Sequence, residues 1–195
     1  NDDTLADFVV GAPRTTNGTA YVYFGADPPD GTPDLTLSGE AADDRFGSSI
    51  AGPGNIDGVP GDDLLIGAPR ASFGHTWAGA AYLFSGGAGL DDVHDWRVLG
   101  GFGGDQFGTS VAAGGDVNGD GDPDVLVGAP YANVLSLVDA GTAYLYYGGA
   151  LLDTIPDYLI EGEETEENMG RMELPRFHGQ FRSCGDSASG HRFLS

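Results

Sequence analysis

Lysine is absent from these 195 residues, cysteine occurs once, and apolar residues never run on for long. Each absence excludes something. The lone Cys184 rules out an internal disulfide, so no covalent staple can stand in for a packed core. Crossing a bilayer as a helix takes roughly 18 consecutive apolar residues, and nothing here comes near that, so direct membrane insertion is not expected. The basic complement is eight arginines against 30 acidic residues, a net charge of −22. Such a surface repels nucleic acid and anionic lipid, which removes both as partners.

Glycine is plentiful instead, at 34 residues, with 11 prolines. Hydrophobic residues still make up 40% of the chain, too many for a disordered segment. Many turns and a real core together predict short strands joined by tight reversals, an all-β chain. The acidic excess has two readings. Solubility needs carboxylates scattered over the surface, whereas cation binding needs them clustered, so their positions decide.

Those positions fall within an internal repeat. Gly-Ala-Pro occurs at 11–13, 67–69 and 128–130, with spacings of 56 and 61 residues. Each copy closes an apolar run that follows an aspartate: Asp7, Asp63 and Asp124. An Ala-Tyr segment follows at 20–25, 81–86 and 143–148. Phe46-Gly47 and Phe107-Gly108 lie 61 residues apart, and Met169-Gly170 stands 62 residues further on. Each unit reads as four strands. The first starts at Phe-Gly (46–52 and 107–113), the second runs into Gly-Ala-Pro, and the third is the Ala-Tyr segment. The fourth alternates at period two, as in Leu35/Leu37, Trp96/Val98 and Tyr158/Ile160. Four short antiparallel strands at fixed spacing describe the blade of a β-propeller.

The order Phe-Gly, aspartate loop, Gly-Ala-Pro, Ala-Tyr resembles the FG-GAP repeat of integrin alpha subunits. The resemblance covers residues 1–170 and implies about three blades of an incomplete propeller: a partial blade at 1–39 and blades at 46–100 and 107–162. Residues 171–195 depart from the pattern. They hold four of the eight arginines and two of the four histidines, and read as a divergent tail or a degenerate strand that closes the first blade.

The strongest chemical signal is Asp116-Val-Asn118-Gly-Asp120-Gly121-Asp122-Pro-Asp124. Oxygen-bearing side chains stand at loop positions one, three, five, seven and nine, with Gly121 at six for the sharp turn. Four carboxylates within nine residues repel one another unless a cation lies among them. The donors are all hard oxygens, which selects calcium over zinc. Position twelve, glutamate in an EF-hand, is Val127 in an apolar run, so this is a strand-loop-strand site. The resemblance implies the same calcium hairpin, with position seven giving its backbone carbonyl in place of the Asp122 side chain.

The other copies depart from that pattern. In the second, Asn55, Asp57, Val59, Gly61 and Asp63 occupy the five positions, a weaker site in which Pro60 replaces the glycine and Asp62 is a substitute donor. In the first, only Asn1, Asp3, Leu5 and Asp7 remain, and this shortened loop is not expected to hold an ion.

No enzyme is expected. His75, His94, His178 and His191 share no metal-ligand spacing, and no serine sits on a recognisable nucleophile elbow. In a propeller, the loops between second and third strands lie opposite the calcium hairpins. The one at 70–79 carries Arg70, Phe73, His75 and Trp77, and the resemblance implies ligand binding on that upper face, with Arg70, His75 and Trp77 as candidates and a protein or glycan as partner. The resulting expectation is a non-catalytic, calcium-binding recognition and adhesion module at a cell surface or in the extracellular space. The alternatives are an accessory propeller of a larger secreted enzyme, such as a phospholipase or polysaccharide lyase, and a purely structural domain. Three blades leave apolar faces uncovered, so either self-association or missing blades is expected as well.

Overall fold

The computed structural model describes residues 5–25, 31–150 and 152–171, together with the backbone of a strand at 180–183. Three antiparallel sheets follow one another along the chain. The first contains β1 (Phe8–Ala12), β2 (Thr19–Tyr23) and β3 (Leu35–Ser38). The second contains β4 (Ser49–Gly54), β5 (Asp63–Ala68), β6 (Ala80–Phe84) and β7 (Trp96–Leu99). The third runs β8 (Ser110–Gly115), β9 (Asp124–Ala129), β10 (Thr142–Tyr146), β11 (Tyr158–Glu161) and β12 (Gln180–Ser183). A 3-10 turn at Gly87–Gly89 is the only helical element among the described residues. The meander order within each sheet is that of propeller blades.

Two boundaries differ from expectation. The inner strands start at Ser49 and Ser110, three residues beyond Phe46 and Phe107. The reason is local: Gly47 and Gly108 both hold φ +83, a left-handed turn that no strand continues through. Phe46 and Phe107 instead form single parallel bridges to Gly18 and Gly79 of the preceding blade, and their rings are buried. The tail differs too. Gln180–Ser183 pair with β11 as a fifth strand, so these residues extend the third sheet and do not return to the first. The β11 edge offers unpaired backbone N–H and C=O groups, which is what an added strand needs.

The blades pack face to face. Between the first and second lie Val22, Leu37, Phe46, Leu64, Ile66, Tyr82 and Phe84. Between the second and third lie Ile56, Leu65, Leu83, Trp96, Val98, Phe107, Val111, Val125 and Val127. Alternation along β5 sends Leu64 and Ile66 to one interface and Leu65 to the other, so every residue of that strand is buried. The first sheet is covered on one face only. Val9 packs inward, while Phe8 and Val10 are 56% and 47% exposed. Phe8 stacks on Tyr23 at 4.8 Å, which makes the open face of this sheet aromatic.

Glycine sets how closely blades approach. A Cβ on Gly11, Gly67 or Gly128 would fall on the carbonyl oxygen of Gly47, Gly108 or Gly170, well inside van der Waals contact. The first residue of Gly-Ala-Pro therefore touches the second residue of Phe-Gly in the next blade. Ser49 Oγ donates to Gly108 O at 2.9 Å, and Ser110 Oγ donates to Gly170 O at 2.5 Å, at the same junctions. Met169-Gly170 thus occupies the Phe-Gly place, with Gly170 at φ +84. Gly67→Ala must push two backbones apart and should cost about 3 kcal/mol in chemical denaturation. Gly101→Ala, which meets open space, should stay within about 0.5 kcal/mol.

Candidate functional site

Between β8 and β9 the chain curls through two left-handed glycines, Gly119 at φ +81 and Gly121 at φ +100. Asp116 is the hub of the curl. Its Oδ1 accepts the N–H of Gly119 at 2.6 Å and of Asp120 at 3.1 Å, and its Oδ2 accepts that of Gly121 at 3.1 Å. Two further Asx turns continue the spiral. Asn118 Oδ1 accepts Asp120 N–H, and Asp120 Oδ1 accepts Asp122 N–H, both at 2.9 Å. Asn118 Nδ2 donates to Asp120 Oδ2 at 2.7 Å. The loop therefore brings Asp116, Asn118 and Asp120 together on exposed backbone. It turns Asp122 elsewhere, against Gly149 of the β10–β11 connection, where an added Cβ would come within 2.6 Å of Asp122 Oδ2.

Asp124 has a role that the sequence reading missed. It is fully buried, and both oxygens are engaged: Oδ2 accepts Val117 N–H at 2.6 Å and Oδ1 accepts Gly148 N–H at 3.0 Å. Asp63 does the same, accepting Ile56 N–H at 2.7 Å and Gly86 N–H at 2.9 Å. Asp7 accepts Gly25 N–H at 2.8 Å. Position nine is thus an anchor that ties the hairpin to the end of the third strand. Burial pushes the Asp63 carboxyl above its ordinary value, with its two N–H partners opposing that rise. The signal was present in the sequence, because an aspartate before each apolar run pairs with the glycine after each Ala-Tyr segment.

Among the described residues no three His, Cys, Asp or Glu side chains gather closely enough to hold a metal by themselves. The third hairpin offers two carboxylates and an amide oxygen on a tightly curled backbone. That donor set suits a hard, oxygen-seeking cation, with carbonyls and water completing the shell.

The second hairpin is built differently. Gly58 N–H donates to Asn55 Oδ1 at 2.9 Å, and Val59 N–H donates to Asp57 Oδ1 at 2.8 Å. Val59 itself is exposed, Gly61 lies against Gly86 and Gly87, and Asp62 points to solvent. Of the first loop, Asn1 and Asp3 lie outside the described residues, Leu5 is exposed, and Asp7 is the anchor described above.

At the opposite end, the 70–79 loop brings two of its three candidates together. The Arg70 guanidinium lies 4.8 Å over the Trp77 ring, a cation–π contact within one loop. Trp77 remains 44% exposed, with φ +54, and its N–H donates to Ser72 Oγ at 3.0 Å. Phe73 packs against the first interface beneath Arg97, at 4.7 Å. His75 is exposed in the same loop. Phe102, Leu135 and Val138 are also exposed at this end, at 73%, 91% and 56%.

The FG-GAP repeat family model matches residues 107–146, the stretch that contains the curled hairpin. Integrin alpha-5 of Xenopus laevis is 40% identical over 144 residues, covering 66% of this chain and 14% of that protein. Integrin alpha-7 of Homo sapiens is 37% identical over 164 residues, covering 80% of this chain and 13% of that protein. Phosphatidylinositol-glycan-specific phospholipase D of Homo sapiens is 31% identical over 188 residues, covering 84% of this chain and 22% of that protein. The chain therefore spans less than a quarter of the length of these relatives.

One buried acid near the exposed upper loops has its carboxyl raised well above the ordinary value. Asp105 is 5% exposed; burial, and then the charge of Asp139, raise its carboxyl to about 6. The folded value lies above the unfolded one, so ionisation opposes folding. This penalty is absent below about pH 4, grows as pH rises, and is complete above about 6. Asp105→Asn should accordingly stabilise the chain by about 2–3 kcal/mol at pH 8 and change little at pH 3.5 in matched chemical denaturation. Equal effects at both pH values would contradict this account.

Proposed function

Because the chain is an FG-GAP repeat protein of the integrin-alpha-like kind, we propose that it is a calcium-stabilised, non-catalytic recognition module working at a cell surface or in the extracellular space. The observation that carries the proposal is the β8–β9 hairpin, where Asp116, Asn118 and Asp120 are drawn together by their own backbone. Their charges are crowded onto one exposed curl, and a bound divalent cation would supply the positive charge that offsets the crowding. Asp116 would hold its place through three N–H donors, Asn118 and Asp120 would turn oxygens inward, and Asp124 would keep the hairpin fixed to the third sheet. Extracellular modules use sites of modest affinity, on the order of 10⁻⁴–10⁻³ M, which fits an exposed loop with few carboxylates.

The partner surface we infer is the opposite end of the sheets. There Arg70 and Trp77 form a cation–π pair, and His75, Phe102, Leu135 and Val138 are exposed at the same end. Aromatic and arginine side chains presented in this way suit a protein or glycan ligand. A further contact is inferred at the aromatic face of the first sheet, where Phe8 and Val10 need cover from another blade or a second copy. No helix among the described residues is long and apolar enough to cross a membrane.

A second reading has its own support. The relative named as a phospholipase D aligns with 84% of this chain, which favours an accessory propeller beside a catalytic domain. The two readings separate on activity in a longer chain. In both, the isolated 195 residues are expected to turn over neither a phosphodiester nor a polysaccharide.

Calcium at a hundredfold excess over its dissociation constant should add roughly 2.7 kcal/mol of stability. Asp120→Ala should remove most of that gain while leaving stability in chelator nearly unchanged. Identical melting temperatures in calcium and in chelator would refute the calcium assignment.

A further inference from the structure

The second hairpin keeps oxygen donors at Asn55, Asp57 and Asp63 but has lost the middle of the curl. Val59 stands where the third hairpin has Asp120, and Pro60 stands where it has Gly121. Valine brings no side-chain oxygen, and proline cannot take the left-handed turn that Gly121 makes at φ +100. The oxygens that remain are engaged, as those of the third hairpin are, so the difference lies in the donor lost at Val59 and in the partner on Asp57. Asp63 accepts two backbone N–H groups, and Asn55 accepts one. Asp57 accepts Val59 N–H on Oδ1, and on Oδ2 it accepts the hydroxyl of Ser85 at 2.5 Å.

Ser85 is the informative residue. It directly follows β6, and its counterparts after β2 and β10 are Phe24 and Tyr147. Tyr147 also has a hydroxyl, but its ring packs with Tyr158 at 5.8 Å and its hydroxyl hydrogen-bonds with that of Tyr158. The small residue with a short hydroxyl thus stands in the blade whose hairpin has lost its central carboxylate and its turn glycine. The backbone of Ser85 is pinned as well, its N–H donating to Asp95 Oδ2 at 2.8 Å. The hydroxyl is therefore delivered to Asp57 from a fixed point.

We propose that the second hairpin is a cation-free variant of the site, locked by the Ser85–Asp57 hydrogen bond and the two Asp63 anchors. This disagrees with the expectation that Asn55, Asp57, Val59, Gly61 and Asp63 form a weaker calcium site. The donor set of the second hairpin does not fit the ion, and the hydroxyl occupies the carboxylate edge that an ion would use. The inference does not depend on the third hairpin binding calcium.

The test is carried out on the whole chain. Hydrogen exchange followed by mass spectrometry, in calcium chloride and in chelator, should show equal protection of residues 55–63 under both conditions. Calcium-dependent protection of 55–63 would overturn the proposal, and the behaviour of 116–124 bears only on the third hairpin. Ser85→Ala should lower Tm by about 2–6 °C, by the same amount in calcium and in chelator, and Ser85→Thr should restore most of the loss. A loss confined to chelator would show that calcium can replace the hydroxyl, and no loss at all would show that there is no lock; either result overturns the proposal. If Ser85→Ala fails to fold, calorimetric titration of the parent chain decides. A calcium stoichiometry that falls by one in Asp57→Asn contradicts the proposal, and an unchanged stoichiometry supports it.

Discussion

The structure depends on a contact between two glycine backbones, repeated at each junction between blades. Gly11 meets Gly47, Gly67 meets Gly108 and Gly128 meets Gly170, each at a distance that leaves no room for a Cβ. A side chain at the first glycine would wedge the sheets apart at their inner ends. The wedge would open the interfaces in which Phe46 and Phe107 are buried. The second glycine has an additional constraint, because its left-handed φ aims the carbonyl at the neighbouring blade. The Phe-Gly and Gly-Ala-Pro signatures are therefore two halves of one contact. Each half makes sense only beside the next repeat, and a single blade could not satisfy either.

The acidic excess is in part structural. Asp34, Asp95 and Asp157 accept the N–H of Phe24, Ser85 and Tyr147 at the end of each third strand. Asp7, Asp63 and Asp124 pin the hairpins. Asp44 accepts Ala41 N–H, and Glu167 accepts Glu163 and Glu164 N–H, in the connectors between blades. Short strands leave many backbone donors without a ladder partner, and a carboxylate that accepts two of them is an economical answer. The alternatives of solubility and cation binding therefore leave out a third use of the charge. Asp105 shows the cost of burying such a charge, since burial and the charge of Asp139 raise its carboxyl above the ordinary value.

Against this frame of anchors, the two complete hairpins have diverged in what fills their centres. The third keeps glycines and exposed carboxylates, and its side-chain oxygens curl around backbone donors. The second replaces that curl with Val59 and Pro60 and ties Asp57 to Ser85. The anchor at position nine is common to both, so the centre of the hairpin can change without loss of its attachment to the sheet. The 70–79 loop shows a similar division of labour, with Phe73 half-buried against the first interface and Trp77 left outside beneath Arg70.

Periodicity alone determined the repeat, the four-stranded plan and the alternating fourth strands, because spacing and burial pattern are local properties of a strand. It also located the oxygen-rich hairpin at 116–124, because the ligands of such a loop are neighbours in sequence. It misplaced the inner strand starts by three residues, since Phe46-Gly47 and Phe107-Gly108 look strand-like until the left-handed glycine is seen against the previous blade. Tertiary structure alone decided which aspartates are anchors. Asp124 and Asp120 are the same residue type four positions apart, and only the approach of Gly148 separates a buried backbone acceptor from an exposed one. The partner of Asp57 was hidden for the same reason. Ser85 is 28 residues away in the chain, and antiparallel pairing of β5 with β6 is what returns it to the hairpin.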